Sequence, residues 1–234
     1  TTHTGTVAIT NNDYTVGQLV TINAATTGDI TLQQTGAALS GTSANLALAF
    51  AGNVTTHTGT VGITNADYTV DQLKVINAAS DGAITFTTAG TGLSDTSANL
   101  AIALAGTTNH SGAIGISNAD YTVDQLKVIN AGSSGAITFT TTGTALSDTS
   151  ANLAIALAGT TNHSGDITIT NANYTATELA TINSGSTGDI TLNTAGTALS
   201  GTSTNLALAL AGTINHSGTV TVTNNDYTVG QLVT

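Results

Sequence analysis

Five histidines offer the most obvious chemistry in this chain. His3, His57, His110, His163 and His216 stand 54, 53, 53 and 53 residues apart. Histidine binds metals and exchanges protons near neutral pH. One histidine per repeat would form a column, with neighbours about 10 Å apart if two β-coils separate them. Metal–nitrogen bonds are about 2 Å long, so two members of such a column cannot share an ion. There is no cysteine, and no second histidine accompanies any of the five. The spacing therefore predicts a turn residue between a helix and a strand.

The acids form two sets. Asp13, Asp67, Asp120 and Asp226 each precede a tyrosine, and Asn173 takes that place in the fourth copy. Asp or Asn there suits an Asx turn or a charge at a helix N-terminus. Asp29, Asp166 and Asp189 open strands on the outward side. Stacking would bring Asp166 and Asp189 together, which makes them the calcium candidates. Calcium needs about six oxygens, preferably from several carboxylates. It is the only cofactor the sequence raises. Ser, His and Asp all recur with the repeat, so no unique set forms a catalytic constellation, and the chain reads as no enzyme. Asn53-Val54-Thr55, Asn109-His110-Ser111, Asn162-His163-Ser164, Asn173-Tyr174-Thr175 and Asn215-His216-Ser217 match the glycosylation pattern. The three Asn-His-Ser copies share one turn that the sequence places at the surface.

These residues are positioned by a repeating unit. Thr122 with Gln125 reads as a capping box, and the pair recurs as Thr15/Gln18, Thr69/Gln72, Thr175/Glu178 and Thr228/Gln231. A short strand such as 112–117 precedes the box. A helix from about Thr122 to Asn130 follows, with Val123, Leu126 and Ile129 as its apolar stripe. A second strand covers 135–140. The Ala/Leu-rich stretch 146–159 completes the unit. Its Leu153, Ile155 and Leu157 alternate as in a strand. Alanine favours helix, and Ser147 as N-cap, Asp148 in the first turn and Gly159 at C′ fit a helix as well.

The fold expected is an α/β repeat solenoid of parallel strands alternating with short helices, two βα coils to each unit of about 53 residues. An all-β right-handed solenoid is the alternative. Repeats fall at 3–56, 57–109, 110–162 and 163–215, with 216–234 beginning a fifth. Strands are expected from Gly5, Gly28, Gly59, Gly82, Gly112, Gly135, Gly165, Gly188 and Gly218. Inward residues run from Val7/Ile9 to Val220/Val222. Six of the nine outward central positions are threonine: Thr31, Thr85, Thr138, Thr168, Thr191 and Thr221.

Composition narrows the function. Lys74 and Lys127 are the only Lys or Arg against thirteen acids, for a net charge of −11. No basic surface exists for nucleic acid or anionic lipid. No run of about 18 apolar residues exists to insert in a membrane. Met is absent even at position 1, and Asn224–Thr234 repeats Asn11–Thr21 letter for letter. Both features lead us to expect an excerpt of a longer chain with a four-unit superperiod. A free solenoid end exposes apolar surface, so self-association end to end or side by side into filaments is expected.

The run Tyr121–Asn130, then Gly135–Thr138, Leu146-Ser147 and Leu153–Gly159, resembles repeats in giant surface proteins of cyanobacteria and other bacteria. That resemblance implies a secreted or cell-surface protein, non-enzymatic, serving as a structural segment of a fibre, surface layer or adhesin stalk. The outward Thr/Asp face carries the alternative: an ice-binding, or a calcium- or glycan-dependent, binding solenoid.

Overall fold

In a computed structural model the chain is an α/β repeat solenoid, described for residues 2–233 apart from 53, 89, 108, 142, 161 and 214. It divides into two compact units, Thr1–Ile114 with Ala131–Gly135, and Gly115–Asn130 with Ala136–Thr234. The elements in chain order begin with β1 (Val7–Ile9), α1 (Val16–Ala25), β2 (Ile30–Leu32), β3 (Leu39–Gly41) and α2 (Ser43–Phe50). The next copy gives β4 (Val61–Ile63), α3 (Val70–Ala78), β5 (Ile84–Phe86), β6 (Leu93–Asp95) and α4 (Ser97–Leu104). The third gives β7 (Ile114–Ile116), α5 (Val123–Gly132), β8 (Ile137–Phe139), β9 (Leu146–Asp148) and α6 (Ser150–Leu157). Then come β10 (Ile167–Ile169), α7 (Ala176–Gly185), β11 (Ile190–Leu192), β12 (Leu199–Gly201), α8 (Ser203–Ala211), β13 (Val220–Val222) and α9 (Val229–Leu232).

All named pairings are parallel. In the first unit β1 lies beside β2, and β4 lies between β3 and β5. In the second, β10 lies between β9 and β11, and β12 pairs with β13. The alternation of helix and strand follows the sequence, but the number of strands does not. β3, β6, β9 and β12 add one strand per repeat to the nine expected. Leu146-Ser147-Asp148 is therefore not the start of a helix. Its backbone pairs with Ile167–Ile169, Leu146 N donating to Asp166 O at 2.9 Å. The cap moves to Thr149, whose hydroxyl accepts from Asn152 N. Thr42, Thr96 and Thr202 do the same for α2, α4 and α8.

The ambiguous Ala/Leu stretch is helical in all four copies. Ala158 is the C-cap of α6, and Gly159 follows it with no positive φ; among the described residues only Gly52 has one, at 76°. Gly159 answers a different need: a Cβ there would lie 2.6 Å from Asn130 Oδ1. The Asn130 amide donates to Ile155 O at 2.8 Å and so ties α5 to the end of α6.

The capping boxes form as the sequence requires. Thr69 Oγ1 accepts from Gln72 N while Thr69 N donates to Gln72 Oε1, and the Thr15/Gln18 and Thr175/Glu178 pairs match it. Thr122 and Gln125 exchange the same two bonds at 3.0 and 3.3 Å. Inward strand residues such as Val61, Ile63, Ile84, Ile167 and Ile169 are wholly buried, and Leu73, Leu126 and Leu179 seal them from the helix side. Leu126→Ala is expected to lower stability by about 2–5 kcal/mol, because a cavity remains where the isobutyl group was removed. Urea denaturation of the whole protein checks this, and an unchanged midpoint would show that Leu126 is not core.

Candidate functional site

The recurring histidines sit where the sequence puts them, between a helix and the next strand. His57, His110 and His163 are wholly buried, whereas His3, in the first coil, is exposed. The backbone holds each in a single parallel bridge: His57 with Ser80, His110 with Ser133, His163 with Ser186.

Each buried imidazole meets a tyrosine from 42 or 43 residues earlier. Tyr68 Oη lies 2.7 Å from His110 Nδ1, and Tyr121 Oη lies 2.7 Å from His163 Nδ1. Tyr14 and His57 are 3.1 Å apart, and Tyr174 and His216 3.4 Å. The two short pairs are those where phenylalanine stacks on the phenol. Phe86 covers Tyr68 and Phe139 covers Tyr121, with centroids 4.5 Å apart at 27°. Each phenylalanine also meets the imidazole edge-on at 5.7 Å. Leu32 and Leu192 occupy the equivalent positions in the first and fourth copies, and the pairs there are longer. Tyr174 also donates to Thr194 O at 2.8 Å.

A backbone without a side chain is needed beside each short pair. A Cβ on Gly90 would lie 2.6 Å from Tyr68 Cζ and 2.7 Å from His110 Nδ1. Gly143 stands in the same relation to Tyr121 and His163.

Burial sets the electrostatics. It pushes the Tyr68 and Tyr121 phenols up to about 12, so they stay protonated. It holds His57, His110 and His163 below the usual imidazole value, against a weaker opposing effect of the backbone at Ala37, Gly112 and Gly165. Nε2 of His57, His110, His163 and His216 is buried without a hydrogen-bond partner. Whichever ring nitrogen carries the proton, Nε2 has no partner. The pair is thus a neutral core clamp.

The acids that precede the tyrosines serve the turns. Asn65, Asn118 and Asn224 donate to the carboxylates of Asp67, Asp120 and Asp226, two residues on, at 2.7, 2.7 and 2.5 Å. Those bonds, and then each residue's own backbone, hold the three carboxyls below their usual range. Asp166 and Asp189 are brought together, each one residue before the Ile167↔Ile190 pair, and both are exposed. The same register flanks them with Ala145 and Gly212, which supply no side-chain oxygen. Among the described residues no group of three or more His, Asp or Glu could hold a metal ion.

Three asparagines of the glycosylation-type patterns bond to strand backbone. Asn109 acts as a short strand: it accepts from Phe86 N at 2.8 Å and donates to Phe86 O at 2.9 Å. Asn162 does this for Phe139, and Asn215 for Leu192. Their amides are engaged with backbone, and all three residues are exposed, as expected of that turn. Asn173 accepts from Asn171 at 2.8 Å. Asn53 lies outside the described residues.

A second polar contact was not legible as a site. Ser43, Ser150 and Ser203, first residues of α2, α6 and α8, are buried. Ser43 donates its N–H to Asn65 Oδ1 (2.7 Å) and its hydroxyl to Gln72 Oε1 (2.7 Å), and accepts from Asn65 Nδ2. The capping-box side chain thus closes its own helix and holds the preceding one. The signal was present: Ser-x-Asn and Asn-x-Asp recur in the same frame as the caps.

These features define a βα-solenoid whose polar side chains join one coil to the next. No family model matches the chain, and no curated protein and no solved structure is significantly similar to it. No helix among the described residues is long and apolar enough to cross a membrane.

Proposed function

We propose that this chain is a structural repeat segment of an extracellular fibre, surface layer or adhesin stalk, acting by stiffness and self-association. One observation carries the reading. The histidines, asparagines and serines that could do chemistry recur in the same places and join one coil to the next. Histidine meets tyrosine, asparagine meets strand backbone, and serine meets the following cap. Repetition of identical contacts suits a load-bearing element, because each coil buries the apolar face of its neighbour. The resemblance to bacterial surface repeats supports a secreted or cell-surface location. Negative-stain electron microscopy of the purified protein over a range of concentrations tests this. Rods that lengthen with concentration are expected; compact particles of fixed size at every concentration would remove the reading.

The outward face favours one second reading. Ser147, Thr168 and Thr191 stand side by side in register, as do Ser200 and Thr221, giving rows of hydroxyls at strand spacing. Such rows suit ice binding, although Gly62 interrupts the row between Ser40 and Thr85. Thermal hysteresis in solution supports that function, and a plain rod shows none.

A further inference from the structure

Both lysines of the chain stand against the same pair of side chains. In the first unit Lys74, on α3, donates from Nζ to Asn99 Oδ1 in the first turn of α4, at 2.8 Å. Asn99 Nδ2 in turn donates to Asp95 Oδ1 at 2.9 Å. Thr96 N donates to the same carboxylate oxygen at 2.7 Å and fixes it at the end of β6. In the second unit Lys127, on α5, donates to Asn152 Oδ1 at 2.9 Å, and Asn152 Nδ2 donates to Asp148 Oδ1 at 2.9 Å. Thr149 N holds that carboxylate at 2.6 Å.

Ion pairing does not account for this arrangement. Asp71 and Asp124, one turn before each lysine, lie 3.6 Å from the ammonium groups and are 87% and 88% exposed, so water screens them. The lysine side chains are only 29% exposed, with each nitrogen carried to an asparagine of the next helix. Lysine and aspartate also come and go together. Val20 and Gly41 take their places in the first copy, Ala180 and Gly201 in the fourth, while Asn45 and Asn205 remain.

An amine, a carboxamide and a carboxylate in this order are the parts of an amide exchange. The amine is the nucleophile, Asn Cγ the electrophile, and the carboxylate sits beside the nitrogen that must leave. Reactants held in contact react as though highly concentrated. The bond from Asn99 is the main cause that keeps the Asp95 carboxyl below its usual range, so it stands ionised as a base.

We propose that Lys74 with Asn99, and Lys127 with Asn152, condense into intramolecular isopeptide bonds, with Asp95 and Asp148 carrying the proton. The neutral amine Nζ bonds to Asn Cγ and gives one proton to the carboxylate. The carboxylate passes it to Nδ2, the Cγ–Nδ2 bond breaks, and ammonia leaves. One amide replaces another, so no oxidant, reductant or further reactant enters. Each link fastens a helix covalently to its neighbour, α3 to α4 and α5 to α6. This goes beyond the reading of the protein as a self-associating rod and holds for a single chain.

The test is the intact mass of the full-length chain, incubated at about pH 9, where more of a lysine amine is neutral, and then denatured. Each link removes one ammonia, about 17 Da, so the finished protein is expected about 34 Da below its sequence mass. Trypsin gives a second readout. It cuts after Lys or Arg, and Lys74 and Lys127 are the only such residues. A linked lysine is not cut, so the denatured, linked chain stays whole. Lys74→Arg should halve the mass loss and open a cut at position 74. Asp95→Asn should slow the first link by about tenfold or more, yet leave the second at full rate, which shows that the variant folds. Full sequence mass with cutting after both lysines overturns the proposal. Lost ammonia with both lysines still cut also overturns it, because the asparagines have then closed to succinimides. An unslowed first link in Asp95→Asn overturns the role of the aspartate. Mass and cutting are read on single chains, so the result is independent of whether the chains assemble.

Discussion

Gly82→Ala is expected to lose about 3 kcal/mol of stability, the upper end of what an added methyl costs in a packed interior. The reason is steric rather than conformational, because Gly82 has no positive φ. A Cβ there would fall on the carbonyl oxygen of Gly59 and 2.6 Å from its carbonyl carbon. Both are backbone atoms of the preceding coil, so no rotamer change relieves the overlap. The coils must part, and that strains the flanking bonds, Asp81 N to His57 O at 2.8 Å and Val61 N to Ala83 O at 3.0 Å. Gly135 makes the same approach to Gly112, and Gly188 to Gly165. Gly17 provides the contrast. It lies in the first turn of α1 with nothing within 4 Å of its would-be Cβ. Gly17→Ala should stabilise by about 0.5–1 kcal/mol, the ordinary helix preference for alanine. Thermal melts followed by far-UV circular dichroism read both. Equal melting temperatures for the two variants would mean the coils are not in backbone contact at Gly82.

Those two glycines also show how far the sequence could be read. Twenty-six glycines look alike as letters. Which of them touch a carbonyl depends on the coil beneath, and no local signal reports that. The capping boxes were legible because Thr and Gln act within three residues. The apolar stripes were legible because Val123, Leu126 and Ile129 share one helix face. Leu146-Ser147-Asp148 was not: three residues are too few to show alternation, and the pairing partner lies 21 residues on. The histidines stand between. Their spacing argued against a metal shared between neighbours and located them between helix and strand. Their burial followed from Tyr68 and Tyr121, whose recurrence in the same frame was visible but whose reach across 42 residues was not. The phenylalanines at 86 and 139, in the copies with the shortest Tyr–His distances, were a further signal that only the stacking geometry explains.

The buried imidazoles should make stability fall with acidity well above the range where carboxylates titrate. An unfolded histidine takes up its proton near pH 6.5. Burial holds His57, His110 and His163 below that value in the folded chain. Between the two values the unfolded chain binds more protons, so stability is complete above about pH 6.5 and declines as the pH falls toward the folded values. Each imidazole contributes at most about 1.4 kcal/mol per pH unit in that window. Asp67, Asp120 and Asp226, held low by their asparagine partners, add their loss only below the ordinary carboxylate range near 3.8. Melting temperature measured from pH 7 to 4.5 should therefore drop, and the drop should shrink in His110→Gln and again in His110→Gln with His163→Gln, even though both variants start less stable at pH 7. The slope, not the starting stability, reports the mechanism, because a merely ill-packed glutamine lowers every point alike. A melting temperature that stays level down to pH 4.5 in the unaltered protein would mean that Nε2 finds an acceptor inside the fold, and the clamp of phenol, imidazole and phenylalanine would have to be redrawn.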